Sequence, residues 1–189
     1  SLLDFHGALN TIAGSLMNKF FQALRRASIG LDRESPKVEW TFKKLKEAHE
    51  AKKGVIAYSA WKESGLGKVV DKLTEAKIPF VKIDSDVSPY QRKLAVDKVN
   101  EGKVFIVLIT KAGGWGLDFR GLRTVIFMES NWNPSEDEQI IGRAIRLKSL
   151  HHLPEAERFV EVYRLMMVKP SILLAGDMQP LSVDEILYE

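Results

Sequence analysis

No cysteine occurs in this chain. A disulfide framework, a thiolate zinc site and a cysteine nucleophile are therefore excluded, and the composition suits a reducing interior. The expected localisation is intracellular. No apolar run approaches the roughly 20 residues that cross a bilayer, so no membrane partner is expected. No signal-peptide pattern opens the chain. The four histidines show no metal-ligand spacing, His151 and His152 being adjacent in what reads as a surface turn, and no metal-binding residue is expected. A strong charge excess is lacking too. The net charge of +3 and pI near 9.0 are compatible with nucleic acid without identifying it.

The P-loop pattern G-x-x-x-x-G-K-[ST] is also absent. The nearest imitation, ESGLGKVV (63–70), lacks the first glycine and the Ser/Thr, so no lysine bridges nucleotide phosphates that way. No acidic magnesium motif follows a strand, since SEDEQ (135–139) sits at a helix cap.

What is present is an ordinary globular composition over 189 residues, 45% hydrophobic and 28% charged, able to bury a core without staples. Residues 1–27 carry Phe5, Leu9, Ile12, Leu16 and Phe20 at roughly helical spacing. Pro36 after Ser35 suits a helix start, Val38, Phe42 and Leu45 recur at i, i+4 and i+7, and Gly54 is read as the helix end. Strands are then predicted at 55–59, 79–84, 104–109, 124–129 and 158–168, with helices at 62–76 and 88–100. Such alternation predicts an α/β fold, a parallel sheet with helices on both faces. The expected division is a helical lead-in at 1–34, the α/β domain at 35–170 and a connection at 171–189. That last part starts a helix at Ser182-x-x-Glu185 and stops after barely two turns.

In parallel sheets ligands gather beyond the carboxyl ends of the strands. Two loops belong there: TKAGGWGLDF (110–119) and SNWNPSEDEQ (130–139). The second leads into a helix with a capping box, Ser135-x-x-Glu138. At 100° per residue, Gln139, Gly142, Arg143 and Arg146 fall within about 100° of arc, while Ile140, Ile141, Ala144, Ile145 and Leu147 take the other side. Helix stability does not ask for that glycine, which costs about 1 kcal/mol against alanine. Glycine between arginines admits a phosphate or another backbone, and two guanidiniums can neutralise a multiply charged phosphate. A merely solvated basic face would need no glycine. Phosphate-facing arginines without a phosphate cradle suggest half of a site.

QIIGRAIR (139–146) resembles motif VI, Q-x-x-G-R-x-x-R, of superfamily-two helicases and translocases. ITKAGGWGLDF (109–119) resembles their motif V and VIAYSAW (55–61) their motif IV. The segment between, 81–102, is similar too, with Arg92 and Asn100 in the usual places. Trp132-Asn133-Pro134, with Asp137 two residues before Gln139, resembles the Swi/Snf-type remodelling ATPases, and VEVYRLM (160–166) their last strand. The likeness runs from about Ser35 to Pro170 and covers five motifs in order. Two departures stand out. RAIRLKS (143–149) replaces the R-A-H-R-x-G-Q usual in that subgroup, and Asp118 stands where Asn is usual. GRAIRLKS and LPEAERFVEVY look closer to the nucleoside triphosphatases and transcription-factor helicases of large DNA viruses, which would place the protein in a virion or host cell.

The resemblance implies the C-terminal RecA-like lobe of a two-lobed, ATP-hydrolysing motor. ATP and Mg2+ would be bound mainly by an N-terminal lobe of the same polypeptide. Arg146 would be the arginine finger, Arg143 would pair with the same phosphate, and Gln139 would orient them or the attacking water. Gly116, Asp118 and Gly142 would lie toward the nucleotide. Thr110, Lys111, Gly113 and Ser59 would lie toward nucleic acid, expected to be duplex DNA. Two other classes remain open: a nucleotide-sugar glycosyltransferase, which leaves Gln-x-x-Gly-Arg-x-x-Arg without a reason, and a non-catalytic regulatory or protein-interaction lobe, which would use the apolar segment 1–27. The half-site reading predicts that the isolated 189-residue chain binds ATP weakly and hydrolyses essentially none. Turnover by the clean isolated chain that disappears in Arg146→Ala would overturn it.

Overall fold

The computed structural model describes residues 35–60, 62–110, 117–129 and 154–166, together with positions 19, 139, 142 and 150; of Lys62, Glu63 and Ser64 it describes the backbone alone. The expectations for residues 1–34 and 167–189, Lys19 excepted, lie outside the described residues. Helix α1 spans Pro36–Glu50, strand β1 Gly54–Ser59, and a π-helical stretch Lys62–Gly67 runs into α2, Lys68–Glu75. Strand β2 (Val81–Ile83), helix α3 (Pro89–Asn100), strands β3 (Ile106–Thr110) and β4 (Leu122–Phe127), a short 3-10 turn (Glu155–Glu157) and strand β5 (Glu161–Arg164) come next in the chain.

All four strand pairings are parallel, in the order β2-β3-β1-β4-β5. Every residue of β1 and β3 is buried. Strands covered on both faces have no polar side, which is why GVIAYS and IVLIT read as continuous runs. Successive side chains nonetheless serve opposite layers. Val55, Ala57, Ile106, Leu108 and Ile126 pack with Val38 and Leu45 of α1, Leu66, and Val69 and Leu73 of α2. Ile56, Tyr58, Val107, Ile109, Val125 and Phe127 pack on the other face with Val99 and the half-buried Ala95 and Val96 of α3. The α/β parallel sheet expected from the sequence is thus the observed fold.

Several boundaries differ from expectation: β3 and β4 are shifted by one or two residues, to 106–110 and 122–127, and the helix expected at 62–76 opens as the π-helical stretch. Gly54 does not end α1, which stops at Glu50. Lys52 turns the chain instead, at φ 53°, and the amides of Lys52 and Lys53 return to the carbonyls of His49 and Ala48. Gly54 opens β1, where a Cβ would lie 2.9 Å from the Gly121 carbonyl oxygen, so the glycine serves strand approach. Strand β2 is shorter than 79–84, because the Asp84 carboxylate accepts the Asp86 amide at 2.9 Å and folds the chain into a turn. Strand β5 is shorter than 158–168, and it is flanked by β4 alone among the described strands.

Helices α1, α2 and α3 all close by the same reciprocal bonding. In α2 the Lys77 and Ile78 amides reach Thr74 and Leu73 carbonyls at 3.1 and 2.9 Å; in α3 the Gly102 and Lys103 amides reach Val99 and Lys98 carbonyls at 3.0 and 2.9 Å. The left-handed residue is Lys77 (φ 54°) in one and Gly102 (φ 70°) in the other. A left-handed conformation costs an L-residue about 1–2 kcal/mol, part of which glycine's greater unfolded-state freedom offsets. Lys77→Gly is therefore expected to stabilise the protein by about 0.5–1 kcal/mol and Gly102→Ala to destabilise it by about 1 kcal/mol. Urea midpoints of the two variants, read side by side, check the opposite signs.

Candidate functional site

Because the strands are parallel, β1, β3 and β4 end on one rim. Ser59, the last residue of β1, stands in register with Thr110, the last of β3, and Tyr58 with Phe127, the last of β4. The two loops singled out in the sequence leave from this rim. Thr110 is buried at its start, whereas Lys111, Gly113 and Gly116 lie outside the described residues.

The far side of the first loop is fastened by a contact that sequence reasoning did not assign. The Asn100 side chain donates to the Asp118 carbonyl at 3.0 Å and accepts from the Arg120 amide at 2.8 Å. One amide side chain thus satisfies the backbone on both sides of Phe119, which is fully buried in the core. Asp118 itself is half-buried, and its carboxylate lies 3.9 Å from the Arg120 guanidinium. Arg92 is likewise turned inward: its guanidinium donates to the Asp84 carbonyl at 3.4 Å.

At the end of β4 the rim carries a second unassigned group, Glu129, only 3% exposed. Its carboxylate accepts the Ser59 hydroxyl through Oε1 and the Ala60 amide at 3.1 Å through Oε2. Ser59 is completely buried, so its hydroxyl is committed to Glu129 and not presented at the surface. Gly65, in the π-helical stretch, leaves room for this pair: a Cβ there would come within 3.2 Å of Glu129 Oε1. The sequence signal was present. A carboxylate closing an apolar strand, TVIFME, has to be buried with partners or not at all.

Gln139 and Gly142 are both helical and both exposed. A Cβ built at Gly142 meets nothing within 4 Å among the described residues. Arg143 and Arg146 lie outside the described residues. Among the described residues no three His, Asp or Glu side chains gather to hold a metal ion. Glu129, the buried carboxylate at the rim, is held by the Ser59 hydroxyl and the Ala60 amide, and among the described residues no further carboxylates or histidines join it to make a magnesium site. No described helix is long and apolar enough to cross a membrane.

Comparison with known proteins gives this geometry a family. The model of the helicase conserved C-terminal domain matches residues 37–148. L538 of Acanthamoeba polyphaga mimivirus, which carries the name of an ATP-dependent RNA helicase, is 33% identical over 117 residues, covering 62% of this chain and 26% of that protein. The TATA-binding protein-associated factor mot1 of Schizosaccharomyces pombe is 37% identical over 106 residues, 53% of this chain and 5% of mot1. Nucleoside triphosphatase I of Amsacta moorei entomopoxvirus is 40% identical over 67 residues, 35% of this chain and 10% of that protein. The chain thus spans about a quarter or less of these relatives. Among solved structures, the C-terminal part of the Fun30 ATPase domain shares the fold at TM-score 0.60 and 21% identity, over 82% of this chain and 54% of that one. Escherichia coli DEAD-box protein SrmB shares it at TM-score 0.56 and 19% identity, over 72% and 73% of the two chains.

The Asn100 contact makes a prediction that needs no assumption about activity. Two solvent-exposed hydrogen bonds, each at the low end of about 0.5–1.5 kcal/mol, should be lost in Asn100→Ala, so the variant is expected to be destabilised by about 1 kcal/mol. A chemical-denaturation midpoint indistinguishable from wild type would show that the clamp holds nothing.

Proposed function

The chain belongs to the helicase conserved C-terminal domain family, in its Swi/Snf-like superfamily-two branch, and from that premise we propose that it is the arginine-supplying half of an ATP-driven motor on nucleic acid. The observation that carries the reading is that Gln139 and Gly142 are both helical and both exposed. They are three residues apart, and helical spacing sets Arg143 and Arg146 on the same face by sequence. A glycine-bearing arginine face, read from the sequence, with no P-loop pattern beside it calls for a complementary surface. In this reading that surface is an N-terminal RecA-like lobe with the P-loop and the acidic residues that hold Mg2+. The two lobes would then be parts of one polypeptide, with this α/β domain at 35–170 between a helical lead-in (1–34) and a connection (171–189).

Phosphoryl transfer from ATP to water asks for positioning and charge neutralisation more than for covalent chemistry. Arg146 would contact the γ-phosphate as charge spreads over its oxygens, Arg143 would share that charge, and Gln139 would orient the arginines or the water. Gly142 keeps the helix surface low enough for a phosphate to approach. Gly116 and Asp118 would lie toward the nucleotide, the latter fixed in place through Asn100. On the other side of the rim, Thr110, Lys111 and Gly113 would meet backbone phosphates, and Ser59 would support the segment after β1 from beneath. Contacts of that kind carry little sequence information, and mild basicity suffices when a second lobe shares the track.

Duplex DNA is the proposed track, on the strength of Trp132-Asn133-Pro134. ATP binding would close the lobes and hydrolysis reopen them, so the isolated lobe would be inactive. The likeness to viral proteins supports a place wherever such genomes are handled, in the cell interior or the virion. A regulatory lobe without turnover is the second reading, favoured by the apolar spacing of residues 1–27.

Arginine chemistry separates these readings. Lysine keeps the charge of Arg146 but loses the planar fork. In the full-length protein, Arg146→Lys and Arg146→Ala should both lower DNA-stimulated turnover by about 10³-fold or more, with far smaller changes in ATP binding. A surface arginine would tolerate either change within about 0.5 kcal/mol of stability. Near-normal turnover in Arg146→Lys would move the finger assignment to Arg143, and a wild-type protein without turnover would favour the regulatory reading.

A further inference from the structure

We infer that Glu129 is a positioning residue that couples the nucleic-acid side of this lobe to its nucleotide side. The inference rests on the proposed function and concerns a residue outside every motif arginine, glycine or hydroxyl assigned above. Strands β1 and β4 are already tied by their ladder, whose last bond runs from the Met128 amide to the Tyr58 carbonyl at 3.0 Å. Glu129 is the next residue. There the backbone ladder stops and a side chain takes over, reaching to Ser59 and Ala60 at the end of β1.

Three segments therefore meet on one carboxylate. The first is the chain after β4, which runs on to Gln139 and Gly142. The second is the chain after β1, which begins at Ala60. The third is the π-helical stretch Lys62–Gly67, whose Gly65 is packed so closely that a Cβ would press on Ser59 Oγ and Glu129 Oε1. In this inference, a displacement of the chain after β1 or of the chain after β4 acts on this carboxylate. Two acceptors on one side chain hold the hydroxyl and the amide in a single geometry.

Stability alone gives a weak reason for a charge at this position. Met128 beside it is fully buried in the apolar core, and an apolar residue after it would avoid the desolvation cost of a carboxylate. What a carboxylate adds is fixed geometry: two acceptors set at once against a hydroxyl and a backbone amide. Both residues that it holds are thereby tied to the chain at the end of β4.

The test uses the full-length protein and a fluorescent DNA duplex. Glu129→Ala is expected to bind the duplex and to turn over ATP without DNA within about threefold of wild type, while stimulation by saturating duplex falls about tenfold or more. Turnover is referred to folded protein, measured by thermal unfolding of the same samples. Glu129→Gln is expected to keep most of the stimulation, because its amide oxygen can still accept from Ala60 and its NH2 can donate to the Ser59 oxygen. If Glu129→Ala does not fold, Glu129→Asp replaces it; one methylene short of spanning both partners, it should lose stimulation by about threefold or more. Undiminished stimulation in the folded Ala or Asp variant overturns the inference. So does a loss of stimulation matched by an equal loss of duplex affinity, which would make Glu129 part of the DNA contact. A wild-type protein with no stimulation at all overturns the proposed function, and this inference with it.

Discussion

Strand β1 is the constraint around which the lobe is arranged. It has a strand on each edge and a layer on each face, so its backbone donors and acceptors can be met only by β3 and β4. Parallel pairing then sends the carboxyl ends of all three strands to one rim. Ser59, Thr110 and Glu129 stand together because of that topology, although they are distant in sequence. Everything proposed about nucleotide and nucleic acid concerns chain leaving this rim.

Loops that leave a rim need fixed ends if they are to hold phosphates or transmit a displacement. The structure supplies such ends with few polar groups. Asn100 serves the backbone around Phe119, whose ring is sunk in the core, and so sets the return of the glycine-rich loop. Glu129 serves the ends of β1 and β4 together. Glu129 acts just past the last bond of the β1–β4 ladder, whereas Asn100 acts on the chain ahead of β4. The part-buried Ala60 amide just past β1 has to be satisfied by something, and here the Glu129 side chain does it.

The same economy shows in the helices. Three of them end in one reciprocal pattern, yet only α3 places glycine at its left-handed residue. At α1 and α2 a lysine takes that conformation, and the pull comes from the core residues just beyond each turn, Val55 and Ile78. Tertiary packing there outweighs local preference. Gly54 shows the converse. Its glycine is spent on the close approach of β1 to the Gly121 carbonyl.

The sequence by itself determined the layer architecture, because strand-length apolar runs alternating with amphipathic helices leave a parallel sheet as the arrangement that buries both. It also determined the family, since the motifs up to QIIGRAIR (139–146) lie within the stretch that matches the helicase conserved C-terminal domain. Only the tertiary structure decided which polar residues turn inward. Ser59 reads as a rim hydroxyl in the sequence, but the register of β1 against β4 buries it on Glu129. Asn100 reads as a family position, but the return of the chain beside α3 makes it a backbone clamp. Contacts between residues 20 and 70 positions apart depend on strand order and register, which no local pattern encodes.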